Sequence, residues 1–141
     1  MPVKFEVLGV PVGKGRPKFS TVNGHAVAYT PAKTANYETL VRLSYQQQIG
    51  CFMFDKDKAL RAIIHAFFPI PKSASKKKRE MMIKYKIRHT KKPDCDNIIK
   101  AILDALNGVA YYDDSQVSEI VVSKLYSENP RAEIELYEVD I

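Results

Sequence analysis

KPDCDNIIKAILDALNGVAYYDDSQVSEIVVSKLYSENPRAEIELYEV, Lys92 to Val139, sets one amphipathic helix ahead of two strands. The spacing predicts a helix over Asp96–Asn107, with Ile99, Ile102, Leu103 and Leu106 on its apolar face and Gly108 at the C-cap position. Val117–Tyr126 and Arg131–Val139 read as strands joined by Ser127-Glu128-Asn129-Pro130. In the last strand Ala132, Ile134 and Leu136 alternate with Glu133 and Glu135, the two-residue period of a half-buried strand.

The same patterns extend toward the N-terminus. Val3–Val10 alternates and reads as a strand, followed by a breaker-rich cationic loop over Pro11–Lys18. A second strand is predicted near Ala26–Tyr29, after the Asn23-Gly24 turn signal. Thr30-Pro31 supplies a helix start, and Pro31–Gln48 carries Tyr37, Leu40, Val41 and Tyr45 near helical spacing. Ala59–Phe68 reads as a largely buried strand with His65 as a satisfied core histidine. Ser75–Ile87 reads as a helix capped by Ser75. The order is ββαβααββ. Paired strands separated by helices imply an α+β domain with a mixed sheet and flanking helices. At 141 residues the chain suits a single domain with a real core.

Composition narrows the function. An apolar fraction of 45% and a charged fraction of 27% are ordinary for a globular protein. Cys51 and Cys95 form no zinc-type spacing, so neither a disulfide scaffold nor a zinc site is expected. No apolar stretch is long enough for a membrane span, and MPVKFEVLGV lacks the features of a signal peptide. A cytoplasmic protein is expected. The net charge of +6 is unevenly spread: residues 69–93 hold ten Lys/Arg against Glu80 alone. Such a segment suits a polyanion. Lys76, Lys77, Lys78, Arg79, Lys91 and Lys92 are candidate phosphate contacts there, and Lys14, Arg16 and Lys18 form a second set on the N-terminal loop. GKGRP lacks the GK[ST] ending of a Walker A loop, so no nucleotide triphosphate is expected.

Beside the basic segment stand the acids Asp94, Asp96, Asp113 and Asp114, around a helix that also carries Lys100. Carboxylates held together repel and raise one another's pKa, and a hard divalent cation relieves that cost. Mg²⁺ suits them, since it takes a few carboxylates and fills its other positions with water and phosphate. An Asp in a first helical turn also stabilises the helix dipole by about 0.3–1 kcal/mol, which accounts for any one of these acids but not for the set. An EF-hand loop is excluded, because counting from Asp94 puts Ile99 and Ala105 where its Gly and Glu belong. Asp96, Lys100 and Asp104 share one helix face. On that face Asp104 reads as helix electrostatics, and Lys100 as an ion-pair partner or a cation beside a phosphate. Cys95 is expected to point into the core, and Tyr111 and Tyr112 to pack.

PDCDN, Lys100, DALNG and DDSQV, in this order and spacing, resemble the signature of the RusA-type Holliday junction resolvases (crossover junction endodeoxyribonucleases). GKGRPKF and Ala28-Tyr29-Thr30-Pro31 resemble that family's opening pattern, so the likeness spans most of the chain. The family is often phage- or prophage-encoded and serves DNA recombination and repair. The resemblance implies an α+β homodimer that resolves four-way DNA junctions by paired symmetric nicks, leaving 5′-phosphates. It implies Mg²⁺, with Mn²⁺ as a substitute, held by Asp94, Asp96 and Asp114, with Asp113 adjoining. It implies Asp94, Asp96, Lys100 and Asp114 as the catalytic set, with Lys100 stabilising the phosphate charge as an activated water attacks in line. One metal and two both remain open. The runner-up is a non-catalytic branched-DNA-binding protein with a degenerate metal site. The basic segment over Lys72–Lys91 departs from the family pattern.

Overall fold

Val3, Phe5 and Val7 are buried while Lys4, Glu6 and Leu8 face solvent, so the first strand (β1, Val3–Leu8) has one covered face. The computed structural model describes residues 2–139. After β1 come β2 (Lys18–Val22), β3 (His25–Tyr29), α1 (Ala32–Gln48), β4 (Leu60–Pro69), α2 (Lys76–Ile83) and α3 (Cys95–Ala105). A 3-10 turn (Asp114–Gln116), β5 (Val117–Ser127) and β6 (Arg131–Glu138) complete the order. The architecture is α+β with a mixed sheet, as expected.

The main sheet has the order β1-β6-β4-β5. β6 runs antiparallel to both β1 and β4, whereas β4 and β5 are parallel. A parallel pair needs a long crossover. The segment bearing α2 and α3 supplies it, and this places α3 next to the sheet. Although only Glu128–Pro130 separates β5 from β6, these strands do not pair. The turn instead carries the chain past the end of β4, and β6 inserts between β4 and β1.

One sheet face carries the core. Leu60, Ala62 and Ile64 of β4 join Ile134 and Leu136 of β6 beneath Tyr37, Val41 and Tyr45 of α1 and Ile98 and Ile102 of α3. Burying a Leu or Ile side chain contributes roughly 1.5–3 kcal/mol, so this cluster dominates the stability of the fold. Phe5 meets Tyr45 edge-on at 5.3 Å. β1 is an edge strand, and Gln48 covers part of it by donating to the Glu6 carbonyl at 2.7 Å and accepting the Glu6 N–H at 2.9 Å.

On the opposite face Arg131 lies 4.1 Å above the Phe67 ring and reaches Glu133 at 2.9 Å. His65 is paired in register with Glu133 on that face. It is only half-buried, and its Nδ1 is buried without a partner among the described residues, so it is not the satisfied core histidine expected. His89 stacks on Phe68 at 3.9 Å.

Several boundaries differ from the sequence reading. α2 ends at Ile83 rather than Ile87, because Tyr85 takes a left-handed φ of 63° and the Lys86 N–H turns back to the Met81 carbonyl. Ser75 does cap it, accepting the Lys78 N–H at 3.2 Å. Leu40 of α1 is exposed, and Thr34 and Ser44 are buried instead. The segment after Pro17 forms a strand, β2, that pairs with β3 as a hairpin. Asn23 and Gly24 both take positive φ at its tip, as a two-residue primed turn requires.

Candidate active site

Pro93 biases the chain toward an extended approach, and Asp94 keeps it with φ −71° and ψ 155° before α3 begins at Cys95. Asp94 is the N-cap of α3, yet its carboxylate makes no capping hydrogen bond. Its oxygens therefore remain available at a helix N-terminus, where negative charge is favoured. Asp96 lies in the first turn of α3, with Lys100 one turn on and Asp104 one turn further. Asp96 and Lys100 are exposed, and among the described residues neither enters a salt bridge. The intrahelical ion pair considered for Lys100 is not formed. The buried stripe of α3 is Ile98, Ala101, Ile102, Leu103 and Ala105, with Ile99 only half-buried.

At the far end of α3, Gly108 takes φ 72° and lets the chain turn back. Tyr111 is buried, and its hydroxyl donates to the Leu103 carbonyl. Asn107 Oδ1 accepts the Asp114 N–H at 2.8 Å. These contacts bring the Asp114 carboxyl close to that of Asp104. Burial raises the Asp114 pKa, and the hydrogen bond with Asp104 and the charges of Asp113 and Asp104 raise it further. Burial likewise pushes the Tyr111 phenol far up, with the three neighbouring aspartates adding to it.

Asp113 has a different task. Its carboxylate accepts the Ser115 N–H at 3.1 Å while Gln116 Oε1 accepts the Asp113 N–H at 3.2 Å, a reciprocal cap on the 3-10 turn. The hydrogen bond from Ser115 holds its carboxyl below the usual range.

The acids thus form two groups on α3, Asp94 with Asp96 at its start and Asp104 with Asp114 at its end. The groups are separated by roughly 12 Å along the axis, at 1.5 Å per residue. Among the described residues no three His, Cys, Asp or Glu side chains converge as a cation cage would require, so Asp94, Asp96 and Asp114 do not meet at one point. Mg²⁺ does not need such a cage, since one or two carboxylates with water and phosphate suffice. The Asp104–Asp114 pair fits that demand, because two hard oxygen donors share a space in which their ionised forms repel. The sequence reading left Asp104 out of the site. Its position eight residues after Asp96 on the same face was the available signal.

The Pro11–Arg16 loop closes the other side. Gly13 packs so tightly on α3 that an added Cβ would sit 2.6 Å from Pro93 Cβ and 3.2 Å from Asn97 Cβ. The Lys14 N–H donates to the Asn97 carbonyl at 2.8 Å, and buried Thr34 accepts the Gly15 N–H at 2.9 Å. The Lys14 ammonium bridges Glu38 at 3.2 Å and Asp104 at 3.3 Å. Burial lowers its pKa, but those two carboxylates outweigh it and hold the pKa above the ordinary lysine value. Lys14, a candidate phosphate contact by sequence, ties the loop to α1 and α3 through its charge. Glu38 and Thr34 carried no sequence signal for this part.

A cleft of about 520 Å³ lies between this loop and the start of α3, lined by Gly13, Arg16, Lys33, Lys92, Asp94 and Asn97. It sets the uncapped Asp94 carboxylate among four basic side chains, Lys14, Arg16, Lys33 and Lys92, a charge arrangement suited to a phosphate. Lys18 is exposed at the start of β2, and Lys91 next to Lys92 is exposed. Lys76, Lys77 and Lys78 project from α2, while Arg79 is half-buried and approaches Glu128 at 3.8 Å. Cys95 is exposed rather than turned into the core. Tyr112 is exposed as well.

Residues 9–137 match the Endodeoxyribonuclease RusA family. The chain is 41% identical over 139 residues to the uncharacterized protein YqaN of Bacillus subtilis (strain 168), covering 97% of this chain and 96% of that one. It is 30% identical over 137 residues to the crossover junction endodeoxyribonuclease rusA of Lactococcus phage r1t, covering 96% of each. Among the described residues no helix is long and apolar enough to cross a membrane. The chain belongs to the RusA endodeoxyribonuclease family.

Proposed function

We propose that this protein is a divalent-metal-dependent endodeoxyribonuclease that resolves four-way DNA junctions by paired symmetric nicks, leaving 5′-phosphates, in DNA recombination and repair. The observation that carries this reading is the uncapped Asp94 carboxylate at the start of α3 lining a basic cleft, within a chain matched almost throughout by the family. The relative from Lactococcus phage r1t, by its name, acts on crossover junctions.

Mg²⁺, or Mn²⁺ in its place, supplies a water of lowered pKa and neutralises charge on the phosphate. Asp104 with Asp114 at one end of α3, and Asp94 with Asp96 at the other, would supply its carboxylate ligands. Asp113 supports Asp114 from the cap. Arg16, Lys33 and Lys92 seat the phosphate. Lys100, without a carboxylate partner among the described residues and midway along the row, stabilises the negative charge that grows on the non-bridging oxygens. Two such sites on one junction require two copies, so the active form is a homodimer, working in the cytoplasm where the DNA is.

The test is incubation of purified protein with a synthetic four-way junction and its linear duplex arms, in Mg²⁺ and in EDTA. Symmetric nicks in the junction with Mg²⁺, and intact linear duplex, are expected. Junction binding unchanged by EDTA with no product under any metal would establish the non-catalytic alternative instead.

A further inference from the structure

The β2–β3 hairpin stands apart from the rest of the fold. It forms a separate two-stranded sheet, and every one of its strand residues is exposed. Isolated hairpins are marginal in water because they have no core to lie on. This one nevertheless exposes Phe19 at 72% and Tyr29 at 48%. In the pairing register Phe19 lies opposite Ala28 and is followed on its face by Thr21 and Ala26, so the ring stands among small neighbours. Nothing in the fold shields it.

Charge selects what covers it. From Val7 to Tyr37 there is no Asp or Glu, while Lys14, Arg16, Lys18 and Lys33 all fall in that span. Lys14 is taken up by Glu38 and Asp104. Arg16, Lys18 and Lys33 are exposed and enter no salt bridge among the described residues. A second copy docking hairpin to hairpin would bring these cations face to face. A nucleic-acid strand neutralises them and offers flat apolar bases to the ring.

Position supports the same occupant. The hairpin leaves the wall of the Asp94 cleft just after Arg16 and returns to it at Pro31. A strand with its phosphates on Arg16 and Lys33 therefore continues directly onto β2 and β3.

Aromatic rings bind bases whose faces are open. In linear duplex those faces are covered by neighbouring bases. At a branch point stacking is interrupted, so a base face is exposed or becomes so at small cost. We propose that Phe19 stacks on a base at the branch point, so that the hairpin is the element by which this chain distinguishes branched from linear DNA. This rests on the DNA-cleavage reading above.

The test measures binding in EDTA of wild type, Phe19→Ala and Phe19→Trp to a four-way junction carrying 2-aminopurine at its centre, and to linear duplex. Phe19→Ala is expected to weaken junction binding about ten-fold, the ratio one stacked base supplies. It should leave duplex binding and the melting temperature unchanged and lose the 2-aminopurine response. Phe19→Trp should retain both junction affinity and response. Equal junction affinity in wild type and Phe19→Ala overturns the inference. So does an equal loss on junction and duplex, or a shift from dimer to monomer on sedimentation, which would make the hairpin an interface between copies. A wild type that nicks junctions while Phe19→Ala behaves identically refutes the hairpin role alone. A wild type that neither binds nor cuts branched DNA refutes the parent reading as well.

Discussion

Asp114 is held in the folded protein at a cost to its ionised form. Burial, the hydrogen bond with Asp104 and two neighbouring charges raise its pKa, so the ionised form is disfavoured in the folded protein. A raised folded pKa contributes stability at low pH that is lost as pH rises through it. At neutral pH, Asp114→Asn is therefore expected to raise the metal-free melting temperature and to remove both cleavage and any melting shift caused by Mg²⁺. A variant no more stable than wild type, or one that still responds to Mg²⁺, would contradict this. His89 sets an opposite dependence. Burial, with Lys124 and Lys91 nearby, pushes its pKa down to about 4, from an ordinary value of 6.5. Its neutral form is the folded one, so stability falls as pH drops from about 6.5 to about 4. His89→Phe keeps the stack on Phe68, and its melting temperature is expected to fall less than that of wild type over that window. The spacing of Asp96 and Lys100 was legible in the sequence because helical geometry alone places them, and Pro93 signals the extended Asp94 before them. The contact between Asp104 and Asp114 was not, since it depends on how Asn107 and Tyr111 fold the loop. The ion pairs of Lys14 were not legible either, because its partners come from α1 and α3.

Among the elements, the Pro11–Arg16 loop and α3 behave as a unit. Gly13→Ala forces a Cβ into Pro93 and Asn97, where the backbone must yield. The expected cost is about 1–3 kcal/mol in urea unfolding, the usual range for overpacking. An unperturbed midpoint would mean that the loop is not held against α3. The α2 helix packs on β5 through one side and leaves Lys76, Lys77 and Lys78 in solvent. Replacing these three by Gln should reduce the slope of log affinity against log salt by about 0.9 for each lysine that contacts a phosphate. An unchanged slope would mean that α2 is a solvated face with no part in DNA binding. Helix existence was legible from periodicity and from Ser75. The early end of α2 was not, because Tyr85 adopts a left-handed conformation usually left to Gly or Asn. β2 was hidden by the Pro and Gly residues before it, although the Asn23-Gly24 turn required a partner for β3.

At the scale of the whole molecule, the class and mixed sheet followed from strand and helix patterns, but the strand order did not. A short Ser127–Pro130 connection suggests a hairpin, whereas β6 leaves β5 and inserts between β4 and β1. Burial explains the choice: β6 alternates Ala132, Ile134 and Leu136 inward and pairs on both edges, as a central strand must. That order sets the β4–β5 crossover, hence the seat of α3, hence the row of carboxylates beside the basic cleft. We propose that this row cuts branched DNA with a divalent cation. The most direct measurement is single-turnover cleavage of a four-way junction by wild type and Asp96→Asn in Mg²⁺, with binding of each followed in parallel. Wild type should nick the junction symmetrically, and Asp96→Asn should bind it but leave it intact. Wild type leaving every branched substrate uncut in Mg²⁺ and in Mn²⁺, or Asp96→Asn cutting as fast as wild type, would contradict the claim.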